Sequence, residues 1–63
     1  MLNILQIIEI LRASKAIANQ HNRAFLKQMA KQGGPRTPAQ WDYLEDIAKQ
    51  VSPAMLAAVA ALA

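Results

Sequence analysis

The chain of 63 residues has no cysteine and a single histidine, His21. The first absence excludes a disulfide framework and any thiolate metal site, and one imidazole cannot assemble a cluster, so no metal and no cofactor are expected. Aromatic residues are limited to Phe25, Trp41 and Tyr43, and the two glycines sit side by side at Gly33 and Gly34. There is no glycine loop of the kind that cradles a phosphate, no HExxH pair and no serine in a nucleophile context. Long hydrophobic runs are missing too. The longest, Pro53 to Ala63, falls well short of the roughly 18 to 20 residues that cross a bilayer. At the N-terminus no basic segment precedes the apolar stretch, and Asn3, Gln6 and Glu9 interrupt it, so no cleaved signal peptide is expected. These absences point to a non-enzymatic protein in a soluble, cytoplasmic or assembly-associated setting, with a membrane surface as a further possible location.

What is present favours helix. Hydrophobic residues make up 54% of the chain and charged residues 17%, a balance too apolar for a disordered segment. Alanine, leucine, isoleucine, glutamine and lysine are all good helix formers. A single domain of this length buries only about 60% of the surface its unfolded chain exposes, so self-association or docking is expected to supplement its core. Charge is unevenly distributed. Up to Arg36, six basic residues face Glu9 alone, a net of +5, whereas from Thr37 onward Lys49 faces Asp42, Glu45 and Asp46, a net of −2. A second copy, an intramolecular neighbour or an external anion could each answer that split.

Local signals divide the chain at one place above all. Gly33-Gly34-Pro35 is the only Gly/Pro cluster, and the residues before it are compatible with one long helix over about 2–32, roughly 46 Å in length. Gly33 can close that helix in the left-handed conformation, with Arg23, Lys27 and Lys31 toward its C-terminal end, where the helix dipole favours cations. Thr37-Pro38-Ala39-Gln40 reads as a helix start, with a threonine cap, proline in the first turn and a glutamine able to reach back as a capping box. The second helix covers about 38–51 and gains a Glu45 to Lys49 pair. Ser52-Pro53 repeats the cap-plus-proline signature and opens a third helix over about 53–63. The expected fold is therefore all-α: a helical hairpin in a single domain over 1–63, one long N-terminal helix with a bent return arm, oligomeric in solution.

On a helical wheel, Ile4, Leu11, Ala18 and Phe25 share a seven-residue series with Ile7 beside it. The companion series places Ser14, His21 and Gln28 where a coiled coil carries leucine. Two readings follow: solvent reaches the middle of the helix, or these three form a polar seam that sets register and subunit number. A single return arm covers one stripe only, so apolar surface at Leu2, Leu5, Ile8 and Leu11, and at Phe25 and Leu26, is expected to form an interface. Arg12, Lys15, Arg23, Lys27 and Lys31 make up a basic face. In the third helix, Ala54 with Ala58 and Ala57 with Ala61 offer a flat strip for close helix approach.

These features favour a protein-interaction or self-assembly module, a small structural, adaptor or inhibitor protein of a bacterial or viral system. Its partner is expected to be itself or a larger protein. Two alternatives use the same residues: a membrane-active amphipathic peptide, and nucleic-acid backbone binding through the basic face.

Overall fold

Asn3 starts the first helix. Its side chain accepts the Gln6 amide proton at 2.9 Å, while the Gln6 carboxamide oxygen accepts the Asn3 amide proton at 2.9 Å, a reciprocal capping box. In the computed structural model, which describes residues 2–63, four helices follow among those residues and no strand: α1 Ile4–Ala13, α2 Gln20–Gln32, α3 Pro38–Val51 and α4 Pro53–Ala60.

The first two helices replace the single long one expected over 2–32, and the reason is local capping backed by burial. Ser14 leaves the helix with extended backbone (ψ 132°), its amide bonding back to the Leu11 carbonyl at 3.1 Å, and its hydroxyl accepts the Ala16 amide proton at 3.2 Å. Asn19 then restarts helix by accepting amide protons from His21 at 2.8 Å and Asn22 at 3.3 Å. Between them Ile17 is driven into the core, with 1% of its surface exposed. An unbroken helix of that length would measure about 46 Å, nearly twice the 24 Å of the molecule's longest dimension. The break lets α2 fold back on α1, and it brings the loop after α2 beside the start of α1.

That second contact explains Gly34. The glycine pair closes α2 in Schellman geometry, Gly34 donating to the Met29 carbonyl at 2.8 Å and Gly33 to that of Ala30 at 3.4 Å, with Gly33 left-handed at φ 87°. Gly34 is also left-handed (φ 121°), and a Cβ there would come within 3.1 Å of the Ile4 side chain. A side chain there would strain the left-handed backbone and require the Ile4 side chain to shift by a few tenths of an ångström.

Beyond the turn, the expected starts hold. Thr37 accepts the Gln40 amide proton at 3.1 Å with Pro38 in the first turn of α3, and Ser52 both ends α3 and caps α4 by accepting the Met55 amide proton at 3.1 Å. The Gln40 side chain differs from expectation: it accepts not from Thr37 but from the Arg36 amide at 2.7 Å and from the Gln32 carboxamide at 3.0 Å. Gln32 also donates to the Gly34 carbonyl at 2.8 Å, so two glutamines staple the turn between α2 and α3.

Helices α2, α3 and α4 each pack on α1, while α3 packs closely on α4. The core consists of Ile7, Ile8, Leu11, Ile17, Leu26, Met29, Leu44, Ile47, Ala48 and Val59, and no polar or charged residue is buried among the described residues. A radius of gyration of 10.1 Å matches the roughly 10.6 Å of a folded chain of this length.

This packing corrects several expectations. Ile8, Leu11 and Leu26 are not uncovered interface residues; each is 0% exposed inside one chain. The heptad series is interrupted, because Ala18 lies exposed in the connector. No polar seam forms: Ser14 terminates α1, and His21 and Gln28 face solvent. The Glu45 to Lys49 pair is absent, the Arg12 to Glu9 contact at 3.0 Å being the only ion pair among the described residues.

Because Leu11 is wholly enclosed, Leu11→Ala should cost about 3 kcal/mol. That is a large part of the roughly 3 to 9 kcal/mol expected for a domain of this size. Urea unfolding followed by circular dichroism measures it, and a loss below about 1 kcal/mol would place Leu11 outside the core.

Candidate functional site

Two surfaces stand out once the core is accounted for, and the first is set by how the chain turns at Ser14–Asn19. Folding α2 back on α1 opens a groove of about 470 Å³ between them, lined by Glu9, Arg12 and Ala13 from α1 and by Arg23, Ala24 and Lys27 from α2. Three of the residues expected to make a basic face, Arg12, Arg23 and Lys27, therefore converge, and Lys31 extends the row one turn along α2.

The basic residues are not equivalent. Arg23 lies in the first turn of α2, where the helix dipole disfavours a cation. Its guanidinium reaches away from that end, donating to the Ile17 carbonyl at 2.7 Å and to the Arg12 carbonyl, near the C-terminal end of α1, at 3.3 Å. There the dipole favours positive charge and the carbonyls lack helical partners. Arg23 thus ties the connector to the end of α1. Arg12 pairs with Glu9, and Arg36 donates to the Gln32 carbonyl at 2.9 Å, capping α2. Lys15 stands exposed in the connector; Lys27 and Lys31 are exposed on α2, without an ion-pair partner among the described residues.

The second surface is apolar. Leu2, Ile7, Ala58, Ala61 and Leu62 line a groove of about 210 Å³ between the N-terminal end of α1 and α4. Leu2 and Leu5 remain partly exposed, at 42% and 44%, so of the expected interface set these two stay accessible. Phe25 is half-buried, its ring stacked on Tyr43 with centroids 4.3 Å apart, and the Tyr43 hydroxyl donates to Asn22 at 2.7 Å. Outside the groove, α4 carries only proline, alanine, methionine, leucine and valine, and Ala54, Ala57 and Ala60 face solvent.

A third concavity, about 450 Å³, lies at the start of α3 between Arg36, Trp41, Asp42 and Glu45, close to Ala63. It mixes both signs of charge. No group of three or more His, Cys, Asp or Glu residues that could hold a metal ion occurs among the described residues, and none of their helices is long and apolar enough to cross a membrane.

Comparison with models of protein families, with curated proteins and with solved structures found no match.

Two features escaped the reading of residues in sequence order. Arg23 counts as one more cation of a stripe until the connector beside it is known, and its only sequence signal is a cation placed unfavourably at a helix start. The uninterrupted apolar character of α4 was visible, but not that its alanines would be left outside the core.

Replacing Arg23 by Met should lower stability by about 1 to 2 kcal/mol, since charge-assisted bonds to two carbonyls are lost. Lys27→Met should stay within about 0.5 kcal/mol of the parent. Thermal unfolding of both variants compares them, and equal effects would contradict the clamp.

Proposed function

We propose that this chain is a non-enzymatic helical self-assembly module, and that copies meet through α4 and the apolar groove beside it. The observation that carries this reading is the composition of α4. A helix of a soluble domain ordinarily turns a polar face to water, and one that is apolar all round is ordinarily buried. Here α4 has no charged or amide side chain, yet Ala54, Ala57 and Ala60 are exposed. Small side chains permit an opposing helix to approach to the short end of the usual 8 to 10 Å range. The adjoining groove at Leu2, Ile7 and Leu62 offers a recess for a side chain of that helix.

Charge supports the same reading more weakly. The acidic residues Asp42, Glu45 and Asp46 all lie on α3, while most of the basic ones lie on α1, α2 and their connector. Oppositely charged parts of neighbouring copies attract one another at low ionic strength and guide their approach. The role is one of contact and register, with no catalytic step assigned to any residue.

Light scattering after size exclusion, over a range of concentrations, should give a molar mass that rises above the monomer value. Ala57→Glu, which places a charge on the exposed side of α4 without entering the core, should return the protein to a monomer. A parent chain that stays monomeric throughout would overturn self-assembly, as would an Ala57→Glu variant that assembles unchanged.

A further inference from the structure

Independently of α4, the groove between α1 and α2 has the properties of an anion site, and we propose that it holds the phosphate backbone of a duplex nucleic acid without reading its bases. Arg12, Arg23 and Lys27 converge on it, and the one carboxylate lining it, Glu9, is already paired with Arg12 at 3.0 Å. Lys31 continues the line. Arg23, Lys27 and Lys31 succeed one another at intervals of four residues, so they share a side of α2 and are spaced about 6 Å apart along it. The row of about 12 Å spans three to four phosphates of one strand, which recur every 3.4 Å along the duplex axis.

Arg23 is the anchor of this arrangement. Two of its five N–H donors hold the Ile17 and Arg12 carbonyls, leaving three free on a guanidinium whose position is already fixed. The ordering cost of a long flexible cation is thus met by folding rather than by binding. Lys27 and Lys31 supply charge that no acidic side chain among the described residues neutralises.

The absence of aromatic rings from the groove decides between duplex and single strand. Binding of single strands depends on bases stacked upon aromatic side chains. Phe25 and Tyr43 are stacked on each other, and Trp41 lines the separate concavity at the start of α3. With only cations on offer, the rigid and densely charged backbone of a duplex is the better ligand.

Fluorescence anisotropy with a labelled duplex DNA of about 20 base pairs tests this, at about 50 and about 200 mM salt. Three phosphate contacts correspond to an affinity about 40-fold lower at the higher salt. The double variant Lys27→Glu/Lys31→Glu, exposed positions whose helicity is checked by circular dichroism, should lose more than about tenfold in affinity and flatten the salt dependence by about two phosphates. Lys49→Glu, on α3, should change affinity far less, and the loss caused by Lys27→Glu/Lys31→Glu should persist when it is made in an Ala57→Glu background, which separates this inference from the reading of α4. No binding at the lower salt would overturn the proposal. So would a double variant no weaker than Lys49→Glu, tighter binding to the corresponding single strand, or tighter binding to vesicles containing phosphatidylserine.

Discussion

The burial of one face of α1 inside its own chain is the constraint on which the rest of the molecule depends. Ile7, Ile8 and Leu11 have to be covered, and α2, α3 and α4 each pack against α1. A continuous helix through Ser14–Asn19 could not provide that cover, because its second half would point away from the first. Breaking it forfeits helical hydrogen bonds at two new ends. The Ser14 amide, the Asn19 side chain and the Arg23 guanidinium meet much of that loss, and the burial of Ile17, Leu26 and Met29 adds to the compensation. The energetic decision is tertiary, and polar capping makes it tolerable.

The same turn shapes the surface. By laying α2 along α1 it gathers cations that are distant in sequence into one groove, and it sets Gly34 against Ile4, where the lack of a side chain allows close contact. Three of the four acidic residues, Asp42, Glu45 and Asp46, end up on α3, whose apolar residues Leu44, Ile47 and Ala48 enter the core. α4 is the exception to this division of faces, because it has no polar side to present. The surface therefore consists of three kinds: a basic groove, an acidic helix and an uncharged helix.

How much of this was legible follows from whether a feature is decided locally. Gly33, Thr37-Pro38 and Ser52-Pro53 mark their helix ends because each end needs a particular backbone conformation or a cap from an adjacent residue, and the structure places the end of α2 and the starts of α3 and α4 where those residues indicate. Ser14 and Asn19 carry the same cap chemistry, yet every residue between them tolerates helix, so the break becomes visible only when the burial of Ile17 is known. Asn3 and Gln6 form a cap of the same kind, hidden in an apolar stretch that reads as helix from the start. Errors about the site followed from that one miss. With an unbroken helix, Ile8, Leu11 and Leu26 have nothing to cover them and look like an interface, and Ser14, His21 and Gln28 fall into register as a seam. Arg23 illustrates the converse, since a residue counted for its charge turns out to hold a loop.

A distance between the two ends of the N-terminal region tests the account most directly, and the absence of cysteine permits clean labelling. Spin labels at Leu5→Cys and Lys31→Cys, both exposed positions, would be about 39 Å apart along an unbroken helix. With α2 folded back on α1, a pulsed dipolar measurement on labelled chain diluted in unlabelled chain, which removes distances between copies, should give a single separation within the 24 Å of the molecule's longest dimension, widened only by the label arms. A distribution centred near 39 Å would contradict the break at Ser14–Asn19, and with it the core and the basic groove that depend on it.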